Sequence, residues 1–184
     1  MDVVRAALAG GARLVQLREK DLEGGELYAL ATALVAECRS AGARLLVNDR
    51  IDVALAAGAD GVVLPADSFP TDAARALVGE RRLVGRSTHS IEEVEVAARD
   101  GCDFALYGPV FETPSKAAFG KPQGIARLAD AAKRGIPVFG VGGITIENAR
   151  EVIEAGAHGV AVIRHVMAAE APRRAVERLL AAIT

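Results

Sequence analysis

The chain has 184 residues, of which 51% are hydrophobic and 25% charged, which is typical of one globular domain spanning residues 1–184 with a sizeable core. A net charge of −2, an aromatic content of 4% and the absence of tryptophan argue against a nucleic-acid partner. No apolar run reaches about 18 residues and residues 1–5 have no secretory pattern, so we expect no membrane partner and a cytoplasmic location.

Short apolar runs alternate with amphipathic helical segments along the chain. The runs predict strands at 13–17, 44–47, 61–64, 82–84, 103–107, 137–139 and 159–163. The segments between and around them predict helices at 3–8, 24–41, 51–57, 69–78, 90–99, 125–134, 147–155 and 172–182. Strands that are apolar throughout, rather than alternating polar and apolar, indicate a parallel sheet covered by helices.

A glycine-containing turn from helix to strand recurs in similar form. It occurs at 9–12 (AGGA), 57–61 (AGADG), 100–103 (DGCD) and 155–159 (AGAHG). Such repetition favours an α/β fold of the (β/α)8 TIM-barrel type over an open sheet. A closed barrel needs eight strands and the pattern supplies seven, so we expect a barrel that lacks the first strand. Its open edges favour self-association, which leaves a homo-oligomer as an alternative to a monomer.

The two cysteines, Cys38 and Cys102, lie far apart in apolar contexts and without metal-type spacing. We expect two buried structural thiols rather than a disulfide or a nucleophile.

Catalytic residues of such barrels come from the carboxyl ends of the strands. The first strand leads into Gln16, Arg18 and Lys20, which strand alternation would place on one face as an amide and two cations. The plainer interpretation is a solvated charge pair with Glu19 and Asp21.

Carboxylates and hydroxyls follow the second and third strands. Asn48 and Asp49 together are suited to Mg²⁺ and a diphosphate oxygen, although both residue types are also common helix caps. After the third strand, Asp67 is a candidate metal ligand, and Ser68 more simply caps the helix that follows.

The fourth strand ends in Ser87, Thr88 and His89. Either hydroxyl could bond an anion, and His89 is a candidate acid or base, although a single histidine at a helix start is more often structural. Ser90 with Glu93 predicts a capping box for that helix.

Anion-binding chemistry follows the remaining strands. Thr113, Ser115 and Lys116 after the fifth strand combine two hydroxyls with a cation, which suits phosphate. A glycine pair follows the sixth strand and a helix start follows the seventh, the arrangement of the phosphate cup in many β/α barrels. The residues of this predicted cup are Gly142, Gly143, Val162 and Ile163.

These segments resemble a known superfamily. They are 15–20 (VQLREK), 47–50 (VNDR), 85–89 (GRSTH), 107–116 (YGPVFETPSK), 142–144 (GGI) and 159–163 (GVAVI). In order and over nearly the whole chain, they are similar to the thiamine phosphate synthases and the TenI-type thiazole tautomerases.

The resemblance to the synthases implies an enzyme that joins two phosphorylated small molecules with the help of Mg²⁺. It places around the diphosphate Gln16, Arg18, Lys20, Asn48, Ser87 and Lys116. It implies that Thr113, Ser115, Gly143 and Ile163 hold the thiazole phosphate. Asp49 would bind the metal, and Ser68 aligns with a second metal-binding aspartate of the synthases.

Two alternatives stay open. The segment 61–68 (GVVLPADS) is more similar to the tautomerase branch, yet Pro109 stands where that branch has its catalytic histidine, so His89 would be the nearby acid or base. The second alternative is a protein that binds thiazole or thiamine phosphate without catalysis.

Overall fold

The structure is a computed structural model, which describes residues 1–113 and 121–184. Within these residues the strands are β1 (Leu14–Leu17), β2 (Arg44–Asn48), β3 (Gly61–Leu64), β4 (Leu83–Thr88), β5 (Phe104–Tyr107), β6 (Val138–Val141) and β7 (Gly159–Ala161). The helices described are α1 (Asp2–Ala9), α2 (Gly24–Ser40), α3 (Ile51–Ala57), α4 (Thr71–Val78), α5 (Ile91–Arg99), α6 (Gly124–Ala131), α7 (Ala149–Glu154), α8 (Arg164–Met167) and α9 (Pro172–Ile183).

All strand pairs are parallel, and the strands follow one another in the sheet in the order β1 to β7. A helix follows each strand and returns the chain to the start of the next. This confirms the predicted seven-stranded α/β barrel architecture. β1 and β7 stand at the two ends of the sheet, so the expected open edges are present in the described chain.

The chain after β7 differs from the prediction. The apolar run predicts a strand through Ile163, but β7 ends at Ala161, and the chain turns into the short helix α8. Val162 packs against the helix-side core, and Ile163 is the N-cap residue of α8. Composition could not separate a buried strand from an apolar turn here. Among the helices in the described ranges, none has both the length and the apolar character needed to cross a membrane.

The two faces of the sheet bury different side chains. Along β2, Leu45 and Val47 belong to the cluster packed against the helices, whereas Leu46 belongs to a separate cluster inside the curled sheet. This is the alternation expected of a strand, with both faces apolar because both are covered.

Phenylalanine fills the inside of the curled sheet. Phe104 meets Phe139 edge to face at 5.6 Å between ring centroids. Neighbouring strands carry glycine where these rings lie: a Cβ on Gly85 would stand 2.1 Å from Phe104, and one on Gly159 would stand 2.8 Å from Phe139. Large and small residues therefore alternate around the interior, which gives a packed core rather than a pore.

The repeated helix-to-strand turns hold the amino end of the sheet. The amide of Asp60 donates to the carbonyl of Leu45 and its carboxylate accepts from the amide of Leu45, both at 2.8 Å. Asp103 makes the same pair of bonds with Val84, at 2.8 and 2.7 Å, and also receives Arg75 at 2.6 Å. The aspartate of the repeated turn thus pins each new strand to the start of the preceding one.

The prediction of two buried thiols is confirmed. Cys38 and Cys102 are both free and buried. Burial raises the pKa of Cys38 to about 11, with smaller contributions from Asp60 and Glu37. Burial likewise raises the pKa of Cys102, although its contact with Thr71 works in the opposite direction. Because the reactive species is the thiolate, neither sulfur is prepared to act as a nucleophile at neutral pH.

We expect Gly85→Ala to lower the free energy of unfolding by about 1–3 kcal/mol, because the added methyl overlaps a ring that is already wedged against Phe139. The matched control is Gly25→Ala in the first turn of α2, where a Cβ meets nothing within 4 Å. That variant should be unchanged or stabilised by up to about 1 kcal/mol. Urea titration measures both, and equal stabilities would contradict the packed interior.

We expect neither thiol to react with a disulfide reagent in the folded protein at neutral pH, because both are buried and protonated. Two equivalents should react at once in concentrated guanidinium chloride. Rapid labelling of the folded protein, assigned to Cys38 or Cys102 by mass spectrometry, would show that the thiol concerned is accessible.

Candidate active site

The first two strands meet at the proposed site through their amide side chains. Gln16 lies on β1 beside Leu46 of β2, on the inner side of the sheet. Its Nε2 donates to Oδ1 of Asn48, the last residue of β2, at 3.0 Å. Two of the predicted substrate-binding residues are therefore in direct contact, although they are far apart in sequence.

Asp49 occupies a sharp turn directly after β2. Its φ of 64° is in the left-handed region, which is uncommon for a residue with a side chain, although aspartate tolerates it better than most. The amide of Asp49 donates to the carbonyl of Val63 at 2.9 Å, so the turn is tied to β3. The hydroxyl of Ser68, in the loop between β3 and α4, donates to Oδ1 of Asp49. The two predicted metal residues are thus brought together.

Helix capping does not account for these residues. The N-cap residue of α3 is Arg50 and that of α4 is Pro70, and neither helix has a side-chain cap hydrogen bond. The alternative that Asn48, Asp49 and Ser68 serve as caps is therefore wrong. The side chain of Asn48 contacts Gln16 of β1, and those of Asp49 and Ser68 contact each other, so none of the three bonds to the start of the helix beside it.

Arg18 and Lys20 lie beyond the end of β1, in the exposed segment before α2. Strand alternation therefore does not fix their side chains, and their convergence with Gln16 stays a prediction. The plainer interpretation fails as well, because Glu19 accepts hydrogen bonds from the backbone amides of Lys20 and Asp21 instead of pairing with a cation. Within residues 1–113 and 121–184, neither cationic side chain has an ion-pair partner.

The end of β4 contributes Ser87 and His89 in different ways. Ser87 follows Gly85 by two residues and so shares its inward direction, whereas Thr88 is fully buried and donates to the carbonyl of Leu106. Of the two hydroxyls, Ser87 is the one that faces the site. His89 places Nδ1 2.6 Å from the carbonyl oxygen of Gly108.

A carbonyl oxygen only accepts, so the proton of that bond is on Nδ1, and in the neutral imidazole Nε2 of His89 is then the acceptor. The capping box at this helix is only half present. Ser90 accepts from the amide of Glu93 at 3.2 Å, as expected, but the carboxylate of Glu93 accepts from the amide of His89 instead of that of Ser90.

The glycine pair after β6 packs against the loop after β5. Gly142 and Gly143 have φ values of 94° and 67°, and a Cβ would stand 2.6 Å from Pro109 and 2.5 Å from the carbonyl oxygen of Glu112. Only glycine fits this close approach of two loops. The side chain of Asn148 supports it by donating to the carbonyl of Gly143 at 3.0 Å.

The remaining predicted anion-binding residues lie nearby or outside the described chain. Thr113 is the last described residue of the loop after β5, and Ser115 and Lys116 lie outside the described residues. Val162 and Ile163 connect β7 to α8, and the side chain of Ile163 is 68% exposed. The roles assigned to these residues stay predictions.

The donor atoms fit Mg²⁺ in company with a diphosphate. No group of three or more His, Cys, Asp or Glu side chains able to hold a metal ion occurs within the described ranges. Asp49 and Ser68 nevertheless offer adjoining carboxylate and hydroxyl oxygens. Mg²⁺ is commonly bound by one or two carboxylates plus substrate phosphates, so a single carboxylate is sufficient when the phosphates arrive with the metal.

One residue of the site region was missed from sequence. Arg86 lies on the outer side of β4, and its guanidinium donates to the carbonyls of Ala66 and Phe69 at 3.0 and 2.9 Å. It therefore braces the loop that carries Ser68. The available signal was a charged residue between Gly85 and Ser87 of the strand, where an outward side chain needs buried partners.

Comparison with known proteins gives one consistent result. The profile of the family described as thiamine monophosphate synthase matches residues 1–166. The thiamine-phosphate synthase of Chlorobium luteolum is 49% identical over 183 residues, covering 98% of this chain and 86% of that protein. The thiamine-phosphate synthase of Roseiflexus castenholzii is 46% identical over 180 residues, covering 97% and 79%.

A solved structure agrees with these sequences. The thiamine phosphate pyrophosphorylase from Pyrococcus furiosus superposes with a TM-score of 0.92 at 37% identity, covering 99% of this chain and 88% of that one. Matches of this extent include every strand and the residues at each strand end. The chain belongs to the thiamine monophosphate synthase family.

Proposed function

We propose that the protein is a thiamine-phosphate synthase, a transferase that joins an aminopyrimidine diphosphate to a thiazole phosphate and releases pyrophosphate. The observation that carries the proposal is the pair of contacts at the ends of β1, β2 and β3, Gln16 to Asn48 and Ser68 to Asp49. These side chains are not used by the helices beside them, and they lie in a family whose similar members are named for this reaction.

The first chemical step is the departure of pyrophosphate. The bond between the pyrimidine methylene carbon and the diphosphate oxygen breaks, and its electron pair leaves with pyrophosphate. Arg18 and Lys20 are cations available for the growing negative charge, and we assign Lys116 the same role. Gln16, Asn48 and Ser87 are polar groups on the inner side of the strands that would orient the phosphate oxygens.

Mg²⁺ is the cofactor we propose, with Asp49 and Ser68 as the residues that would hold it; when bound it would neutralise diphosphate charge. The left-handed backbone and the hydrogen bond to Val63 fix the backbone position from which the Asp49 side chain extends. Ser68 occupies one of its oxygens and leaves the other for the metal.

The second step forms the new carbon–nitrogen bond. The lone pair of the thiazole nitrogen attacks the electron-poor methylene carbon, so no proton has to be removed to form the bond. We assign the thiazole phosphate to Gly142, Gly143, Thr113 and Ser115 with the residues before α8, Val162 and Ile163. The glycine pair packs closely against the loop after β5, which supports a preformed backbone surface for that phosphate.

A thiazole phosphate tautomerase is the second candidate, and one observation favours it. His89 places Nδ1 against the carbonyl of Gly108, so in the neutral imidazole Nε2 is the nitrogen that would take a proton from a substrate. This function needs no metal and no diphosphate.

Three expectations from the sequence stay predictions, and neither candidate function requires them. They are a cytoplasmic location, one domain over residues 1–184 and a homo-oligomer.

We expect the purified protein to convert aminopyrimidine diphosphate and thiazole phosphate to thiamine phosphate only when Mg²⁺ is present. Oxidation to the fluorescent thiochrome measures the product, and a chelator should abolish the signal. If a folded sample gives no signal, the synthase proposal is wrong. Turnover of the thiazole tautomer without metal would then support the tautomerase, and binding of thiazole phosphate without turnover would leave a non-catalytic binder.

We expect Asp49→Asn to lower kcat/KM by at least about 100-fold, the upper end of the loss caused by removing an outer-shell partner of a metal. Asparagine tolerates the left-handed backbone and still accepts from Ser68, so the change removes the charge with little disturbance of the fold. The matched control is Asp67→Asn, whose exposed carboxylate is one residue from Ser68. If Asp67→Asn is the damaging change, the metal ligand is Asp67 and our assignment fails.

A further inference from the structure

We propose that Arg86 is a positioning residue that holds the loop between β3 and α4 so that Ser68 reaches Asp49. The inference rests on the proposed function for its kinetic consequence, but its structural part does not. It starts from a residue outside the catalytic set, on the side of β4 that faces the helices.

The guanidinium of Arg86 makes three contacts with one short stretch of chain. It donates to the carbonyl of Ala66 at 3.0 Å, to the carbonyl of Phe69 at 2.9 Å and to the hydroxyl of Thr71 at 3.4 Å. Thr71 is the first residue of α4 and is 2% exposed, so its end of the stretch is fixed in the core. Arg86 thus spans the loop from its beginning to the start of the helix.

Ser68 lies between the two carbonyls that Arg86 holds. The residues around it have few other anchors: Phe69 is 52% exposed, and α4 begins without a side-chain cap. The amide of Ser68 donates to the carbonyl of Pro65 at 3.2 Å, which closes the turn but does not tie it to the sheet. Within the described residues, the hydrogen bonds of Arg86 are therefore the main polar link between this loop and β4, while the bond from Ser68 to Asp49 joins it to the turn after β2.

The chemistry of the contact requires arginine. A charged donor makes hydrogen bonds roughly twice as strong as a neutral one, and the planar fork reaches two separate carbonyls at once. Lysine carries a single ammonium group and cannot hold both carbonyls with the same geometry. A cation beside the first turn of α4 also opposes the helix dipole, so the helix gains nothing from its charge.

The consequence is specific to one half of the site. If the loop is released, Ser68 no longer holds the Asp49 carboxylate, and the metal and diphosphate lose their fixed oxygen donors. We assign the thiazole phosphate to the loops after β5 and β6 and to the residues before α8, and in the described part of these segments no residue is hydrogen bonded to Arg86. Loss of Arg86 should therefore weaken the binding of aminopyrimidine diphosphate and Mg²⁺ and leave the binding of thiazole phosphate unchanged.

Arg82 provides a matched control on the same strand face. It precedes β4, four residues before Arg86, and it also donates to backbone carbonyls, those of Ala59 and Val78 at 3.3 Å. Those carbonyls belong to the amino end of the sheet, opposite the site. Arg82→Ala therefore removes the same kind of bond without touching the loop of Ser68.

The first measurement is hydrogen exchange of the protein without substrate or metal. We expect Arg86→Ala to speed exchange of the Ser68 amide, which is hydrogen bonded within the segment 65–71, at least about 10-fold, because the loop then opens locally. Arg86→Lys should give a smaller increase, and Arg82→Ala should leave this segment unchanged. Unchanged exchange in Arg86→Ala would overturn the proposal, whatever the enzyme does.

The second measurement separates positioning from general damage. In Arg86→Ala we expect the Mg²⁺ concentration for half-maximal rate and the KM for aminopyrimidine diphosphate to rise about 10-fold, with the KM for thiazole phosphate within about 2-fold. In Arg82→Ala these constants should not change, even where urea titration shows a similar loss of stability. Equal changes in both KM values, or the same pattern in Arg82→Ala, would refute a positioning role.

Two alternative measurements apply if a variant does not fold or if the protein has no synthase activity. If Arg86→Ala does not fold, Arg86→Lys is measured in its place, with the same directions expected. If the wild-type protein makes no thiamine phosphate, the proposed function has failed, and calorimetric binding of Mg²⁺ with inorganic pyrophosphate replaces the kinetics. Weaker binding in the Arg86 variant than in the Arg82 variant supports positioning, and equal binding overturns it.

A double variant tests whether Arg86 acts through Ser68. In the Ser68→Ala background, the Arg86 substitution should cause little further loss of Mg²⁺ and diphosphate binding, because the two residues act through one contact.

Discussion

The parallel pairing of the strands in sequence order is the constraint on which the rest of the molecule depends. It brings every strand's carboxyl end to one rim, whatever the distance along the chain. Gln16 and Asn48 are 32 residues apart and Asp49 and Ser68 are 19 apart, yet both pairs are hydrogen bonded. The proposed chemistry needs amides, a carboxylate and cations around one diphosphate, and this topology is what assembles them.

The amino end of the sheet contributes mainly to stability, and the carboxyl end carries the proposed site. At the amino end, Asp60 and Asp103 tie successive strand starts together, and below the rim the rings of Phe104 and Phe139 fill the interior. The aspartates hydrogen bond to neighbouring strands and the two rings pack against each other, so these groups have their partners within the fold. At the carboxyl end, the left-handed turn at Asp49 is held by neighbouring strands and loops rather than by its own helix. A rigid lower half is what allows an unfavourable backbone to persist where the site requires it.

Helix capping follows the same division. α2 has a capping box made by Glu23 and Glu26, and α5 is capped by Ser90. The helices that follow β2 and β3 have no side-chain cap, although Asp49 and Ser68 stand close to their starts. Their polar groups are turned toward the rim instead. Such a departure from local preference is expected where function competes with helix stability.

The sequence alone determined the element order, the parallel sheet, the open edges and the family, because apolar runs, glycine turns and strand-end motifs are local features of the chain. It could not decide whether Asp49 and Ser68 cap the helices that follow them, since a helix cap and a site ligand use the same residue types. It extended the alternation of β1 to Lys20 and the last strand to Ile163, although both strands end earlier. Only the tertiary structure decided these points, because partners across the sheet select among conformations that are locally equivalent. The bracing by Arg86 was hidden for the same reason: its acceptors are backbone carbonyls, which every sequence has.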